Sequence, residues 1–289
     1  MKSKRLLTLW AVTALAISAV STSFADTAEY ARKIMEDNQN AVVTVQLVIE
    51  TTASYQGQSE KQETKASATG TIIDPSGLVV TSVTSINPRD RFADLMDSGD
   101  QDYKMSTKVV DVKIKLGDGT EIPANLVLQD RDLDMAFIKP KTPPSAPFAF
   151  VDLTQPATPL AIDELVFLFR LGQVGNRTLA AGIERVAAVV TKPRLCYAIP
   201  GSASPSFGVP AFALDGKPVG ITVLRSSMSK DQSSGFATSD KMLAIVLPCS
   251  TIQKAAEQAK TAVPQIVEET KPEPKAAKPN AKPATPKAK

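Results

Sequence analysis

The sequence predicts an all-β protein, and three observations carry that prediction. Short apolar runs such as Val42 to Ile49, Leu78 to Val80 and Val219 to Val223 are separated by clusters of turn residues. Val112, Ile114 and Leu116 alternate with charged residues, as a half-buried strand requires. Asp74-Pro75-Ser76-Gly77 and Gly117-Asp118-Gly119 carry the chemistry of tight reversals. Many short strands at this spacing build barrels or sandwiches.

Asp26 to Asn38 predicts a helix, because Ala28, Ala31 and Met35 recur at helical spacing and Thr27 can cap. From Ala41 the pattern changes to strand, with Val42, Val43, Val45, Leu47 and Ile49 set among Thr and Gln. Thr51 to Lys65 is polar and contains Gly57, which predicts an exposed loop. Thr69 to Ile73 and Leu78 to Thr81 form a hairpin about the Asp74–Gly77 turn. Asn87 to Lys108 reads as a polar insertion with one helical turn near Phe92, Leu95 and Met96. A strand from Asp111 to Leu116 turns at Gly117–Gly119 and returns over Ile122 to Leu128, followed by a short buried strand from Met135 to Lys139. Thr142-Pro143-Pro144 and Pro147 mark a linker between two halves. Leu165 to Phe169, Arg185 to Val190, Val209 to Phe212, Val219 to Val223 and Met242 to Val246 are the strands of the second half. Ser250 to Lys260 is a final helix with Ser250 as its N-cap.

The ends differ from the body. Lys2, Lys4 and Arg5, the apolar stretch Leu6 to Val20 and the small residues around Ser23-Phe24-Ala25 have the layout of a secretory signal peptide. We expect cleavage after Ala25, an exported protein in the periplasm or medium, and no membrane span in the mature chain. The lone Trp10 falls in that leader. Beyond Ile266 the chain is Lys, Pro, Ala and Glu, which predicts an extended, disordered tail. The tail is basic and the leader is basic, so the body between them is weakly acidic, which argues against nucleic acid as its main partner. The expected organisation is signal peptide 1–25, N-terminal helix 26–40, first barrel 41–141, second barrel with C-terminal helix 142–262, and tail 263–289. Cys196 and Cys249 are the two cysteines, and an oxidising compartment allows either a disulfide or two buried thiols.

Three stretches together resemble a trypsin-like serine protease of the high-temperature-requirement (HtrA) type. Gly70-Thr71-Ile72-Ile73-Asp74-Pro75-Ser76-Gly77-Leu78-Val79-Val80-Thr81 is similar to the strand pair that leads into the catalytic histidine. Val112 to Glu121, continuing through Asp130-Arg131-Asp132-Leu133-Asp134-Met135-Ala136-Phe137-Ile138-Lys139, is similar to the segment that delivers the catalytic aspartate. Pro205-Ser206-Phe207-Gly208-Val209-Pro210-Ala211-Phe212, with Leu214 to Ile221 after it, resembles the nucleophile loop and its following hairpin. The resemblance implies two packed antiparallel β-barrels with short terminal helices. It also implies an extended peptide or protein partner held at the barrel junction, without any cofactor or metal; after the final helix we expect only the tail and no PDZ-like domain.

The same resemblance places Thr84 where the histidine belongs, Asp134 at the aspartate, Phe207 at the serine and Pro205 at the first glycine of the oxyanion loop. The chain contains no histidine at all. Phe207 has no nucleophilic atom, Thr84 is no general base near neutral pH, and Pro205 lacks the N–H that would hold an oxyanion. Loss of the serine or the histidine alone in a comparable hydrolase costs roughly a million-fold in turnover. The implied function is therefore a pseudoprotease that binds partners or acts as an envelope scaffold, with no catalytic residues. Two other readings remain. A hydrolase with a relocated nucleophile would use Ser202, Ser204 or Ser206 beside Lys192 or Lys217. A structural role would hold the body to anionic envelope polymers through the basic tail. Cys196, flanked by Leu195 and Tyr197, is expected to be a packed strand cysteine. Asp134 opening an apolar run also fits an aspartate that bonds backbone amides at a strand end. Asp90, Asp94, Asp97, Asp100 and Asp102 lack the spacing of a calcium loop and are expected in a solvated segment.

Overall fold

The computed structural model describes residues 22–55, 58–87, 103–199, 207–226 and 242–262. Outside them lie the charged and apolar regions of the expected leader, the five aspartates between 90 and 102, Pro205, the serines at 202, 204 and 206, and the tail. Among the described residues no helix is long and apolar enough to cross a membrane.

The first half is a closed barrel of six antiparallel strands. β1 (Val42–Tyr55), β2 (Gln58–Ile72), β3 (Val79–Ser82), β4 (Tyr103–Lys115), β5 (Glu121–Asp130) and β6 (Met135–Pro140) follow the order β1-β2-β3-β6-β5-β4, and β4 pairs back onto β1. Inward residues alternate along each strand, so Val43, Val45, Leu47, Ile72, Val112, Ile114, Ala136 and Ile138 fill the interior. Bulges at Val48/Ile49 and Leu126/Leu128 bend the strands that must curve most.

The second half is an antiparallel sheet of seven strands curled into a half-barrel. β7 (Glu164–Arg170), β8 (Leu179–Arg185), β9 (Ala188–Val190), β10 (Cys196–Ala198), β11 (Pro210–Ala213), β12 (Pro218–Ser226) and β13 (Met242–Pro248) take the order β8-β7-β11-β12-β13-β10-β9. Leu165, Phe167, Tyr197, Ile199, Val209, Ala211, Val219 and Val246 line its concave face. The expected all-β, two-barrel architecture is therefore the architecture of the chain.

A third cluster joins the halves. Val80, Met135 and Phe137 of the barrel meet Val166, Phe212, Val223 and Leu247 of the half-barrel. α1 (Thr22–Asn38) contributes Ala31 and Ile34, and α3 (Cys249–Thr261) contributes Ile252, Ala255, Ala256 and Ala259 at helical spacing. A one-turn helix, α2 (Val83–Ile86), follows β3 directly. Arg170, at the end of β7, ties the halves by polar contacts. Its amide donates to Thr69 Oγ1 at 3.1 Å, and its guanidinium reaches the carbonyls of Val42 and Gln39, both at 2.9 Å.

Five local readings need correction. α1 begins at Thr22, inside the expected leader, so Thr27 is not its cap and instead donates to Glu164 Oε2 at 3.3 Å. The segment Thr51 to Lys65 is not a loop but the outer part of the β1–β2 hairpin, paired from Val42↔Thr71 out to Tyr55↔Gln58. Gln58 to Lys65 is exposed throughout, so no apolar face marks the strand period, and pairing of β1 with β2 and β4 holds the ribbon. For the same reason the end of the expected 87–108 insertion is the start of β4, and β8, an edge strand of small residues, begins before Arg185. α3 starts at Cys249 after Pro248, with no side-chain cap, and Ser250 lies in its first turn.

Both cysteines are buried free thiols, which decides between the two alternatives. Burial pushes the Cys249 thiol up to about 12, against an opposing backbone hydrogen bond, and the charge of Asp152 adds to the rise. A group with a raised thiol pKa stays protonated and unreactive in the folded state at pH 8. The native protein is expected to give no reaction with Ellman's reagent at that pH, and both thiols should react after denaturation without reductant. Silence after denaturation would instead reveal a disulfide.

Candidate functional site

β3 ends at Ser82, α2 begins at Val83, and β6 begins at Met135, so Thr84 and Asp134 are brought together where two paired strands run out of partners. Asp134 is fully buried and sits at φ +55°, in the left-handed region that Asp tolerates better than most residues. Its carboxylate is surrounded by donors. Oδ1 accepts from the Thr84 amide and from Thr84 Oγ1, both at 2.8 Å. Oδ2 accepts from Ser82 Oγ at 2.6 Å and from the Leu224 amide at 2.8 Å. Two hydroxyls and two backbone amides thus donate to this buried carboxylate.

The four donors come from different parts of the molecule. Ser82 and Thr84 belong to the barrel, whereas Leu224 lies on β12 of the half-barrel. The carboxylate therefore spans the junction of the halves. Ser82 does a second job, because its Oγ accepts from the Ser85 amide at 3.3 Å and caps α2.

Phe207 comes to the same place through its backbone. Ser85 Oγ donates to the Phe207 carbonyl at 2.9 Å, while the phenyl ring packs partly buried against the core of the half-barrel. Gly208 follows at φ +84°, and a Cβ there would stand 2.5 Å from Thr81 Oγ1 and 2.7 Å from the Ser82 amide nitrogen. The loop is pressed against β3 so closely that only hydrogen fits. It is fixed to β12 by Gly208 N–H to the Thr222 carbonyl at 2.7 Å and by the Thr222 amide to the Val209 carbonyl at 2.9 Å.

Thr84, Asp134 and Phe207 therefore share one locus, and Pro205 falls outside the described residues. Of the lysines considered for a relocated dyad, Lys192 is exposed and Lys217 pairs with Asp215 at 2.9 Å. Sequence reasoning missed Ser82, Ser85, Gly208 and Leu224. The spacing of Ser82 to Ser85 is that of an N-cap to its third helical residue, which was a usable signal. Leu224 contributes only a main-chain amide, so its side chain gave none. Among the described residues no cluster of three or more Cys, Asp or Glu side chains could hold a metal.

Past Ile221 the side of β12 away from β13 bonds to Gly208 and Val209 at Thr222 and to Asp134 at Leu224, and among the described residues no strand pairs there beyond Leu224, while the ladder with β13 continues to Ser226↔Met242. Thr222 and Leu224 both turn their amides away from β13, toward Val209 and Asp134. By the two-residue period of a strand, Ser226 presents its main chain on that same open side.

Residues 68–221 match the family model described as trypsin-like peptidase domain. The match contains Thr84, Asp134 and Phe207 and crosses from the barrel into the half-barrel. No curated protein matches the sequence.

Proposed function

The chain belongs to the trypsin-like peptidase domain family, and from that premise we propose that it is an exported pseudoprotease of the HtrA type, which captures extended peptide segments without cleaving them. The observation that carries this reading is the pairing of Asp134 with Thr84. A working triad needs that carboxylate to hold an imidazole in its reactive tautomer. Here Thr84 supplies both an amide and a hydroxyl to Oδ1, Ser82 and Leu224 take up Oδ2, and the chain has no histidine. The hydroxyl of Thr84 accepts no proton near neutral pH. Phe207 offers a hydrocarbon ring where a nucleophilic oxygen would be required. The carboxylate is thus employed as a structural tie.

Peptide capture needs none of the missing groups. The side of β12 away from β13 beyond Leu224, where Ser226 presents its main chain, can take an extended segment through main-chain hydrogen bonds. Retention of the two-half architecture around such an edge supports binding over a purely inert scaffold. The engagement of Lys217 by Asp215 weighs against a relocated serine–lysine catalyst.

The test has two arms. Purified protein is incubated with unfolded casein and with a fluorophosphonate probe, and neither cleavage nor labelling is expected. Labelling at a serine that survives repurification would overturn the reading in favour of a hydrolase. In the second arm a library of unstructured peptides is screened for capture. Ser226→Pro, which removes an outward N–H, should weaken a captured peptide roughly tenfold. Capture that is untouched by this substitution would place binding elsewhere.

A further inference from the structure

Where α1, the turn after β4 and the β7–β8 hairpin meet, the surface opens into a cavity of about 590 Å³. Arg32, Glu36, Gly117, Arg170, Asn176 and Arg177 are among its walls. It lies on a different contact between the halves from the Asp134 locus, and its reading is independent of peptide capture.

Three arginines, Arg32, Arg170 and Arg177, line this space. The guanidinium of Arg170 is oriented by neutral acceptors only, the carbonyls of Val42 and Gln39 at 2.9 Å and of Arg177 at 3.4 Å. Among the described residues no carboxylate comes within ion-pair distance of Arg32, Arg170 or Arg177, whereas Arg185 on the neighbouring strand pairs with Glu164 at 2.9 Å. Glu36 is the one acid in the wall, so a positive excess remains. Burial lowers the Arg170 pKa from its ordinary value, the sign expected of a cation taken from water without a counter-charge.

The backbone keeps the space open and the cations in place. Gly117 abuts Arg170, and a Cβ there would lie 2.7 Å from Nη2. Asn176 and Arg177 are consecutive non-glycine residues at φ +51° and +55°. Such conformations are disfavoured for L residues, and they hold Arg177 at the rim with its carbonyl turned back to Arg170.

We propose that this cavity binds a multivalent oxyanion, a phosphoryl or polycarboxylate group, through Arg32, Arg170 and Arg177. Planar guanidinium forks match pairs of oxygens on such groups, and three of them around one open cavity favour a ligand with more than one negative charge. The group can belong to a free small anion or to a repeating anionic polymer threading the open cavity.

The experiment titrates the full chain with pyrophosphate, citrate and long-chain polyphosphate by calorimetry. The double variant Arg32→Gln/Arg177→Gln is measured in parallel. Neither side chain makes a hydrogen bond that holds the fold among the described contacts, so this variant should retain the wild-type melting temperature. Pyrophosphate or citrate is expected to bind with one-to-one stoichiometry, and the double variant should lose at least tenfold in affinity. Equal affinity per site for short and long anions identifies a free ligand, and markedly tighter binding of the long chain identifies a polymer-borne one. Absence of binding to all three probes, or binding that the double variant keeps in full, overturns the proposal. Polyphosphate held equally by both proteins would assign that affinity to the lysine-rich tail.

Discussion

Asp134→Ala is expected to destabilise the protein by about 3–4 kcal/mol, measured as the shift of a urea unfolding transition followed by far-ultraviolet circular dichroism. The substitution deletes the acceptor of four hydrogen bonds and leaves the Ser82 hydroxyl and the Leu224 amide in a place sealed from water. Each bond to a charged acceptor contributes about 1.5–3 kcal/mol, and a buried donor left unmet costs about 1–3 kcal/mol more, so relaxation must recover much of the sum. Alanine also tolerates φ +55° less well than Asp does. Asp134→Asn keeps the backbone preference and one acceptor oxygen, but its amide group meets donors on the other side. Its expected loss is about 2 kcal/mol. Were the alanine variant to lose less than about 1 kcal/mol, the carboxylate would not be the tie between the two halves.

Gly208→Ala is expected to cost about 3 kcal/mol in the same assay and to loosen the loop that carries Phe207. Part of this comes from φ +84°, where an L side chain is strained. The rest comes from contact with main-chain and buried atoms of Thr81 and Ser82, which pairing with β6 holds in place. Gly119 separates the two contributions. It has φ +93° with nothing within 4 Å of an added Cβ. Gly119→Ala should therefore show the conformational strain alone, about 1–2 kcal/mol. Equal losses for the two variants would mean that the loop is not pinned against β3.

The barrel was largely readable before any coordinates, because its strands face water on one side and core on the other. Val112, Ile114 and Leu116 announce that arrangement, and the Asp74–Gly77 turn fixes the hairpin before β3. The Gln58–Lys65 arm of the ribbon was unreadable for the opposite physical reason, since water on both faces leaves no alternation to detect. At the site, Asp134 stood out through its place before an apolar run and through the resemblance that surrounds it. Its partners did not, because two of its four bonds come from main-chain amides, which any residue could supply. Arg170 was invisible as a junction residue, as its acceptors are carbonyls far away in sequence.

The outer half of the β1–β2 hairpin, with β4 on its other flank, reaches beyond the barrel as a three-stranded blade. Among the described residues, neither rim of that blade is covered by a further strand until β3 meets Thr71 and β5 meets Lys113. Bare rims of this kind invite fibre growth, yet this one carries Glu60, Lys61, Glu63 and Lys65. A foreign segment would have to strip hydration from ions of both signs before zipping on. The β2 rim can thus reach into solvent and still resist polymerising along its length.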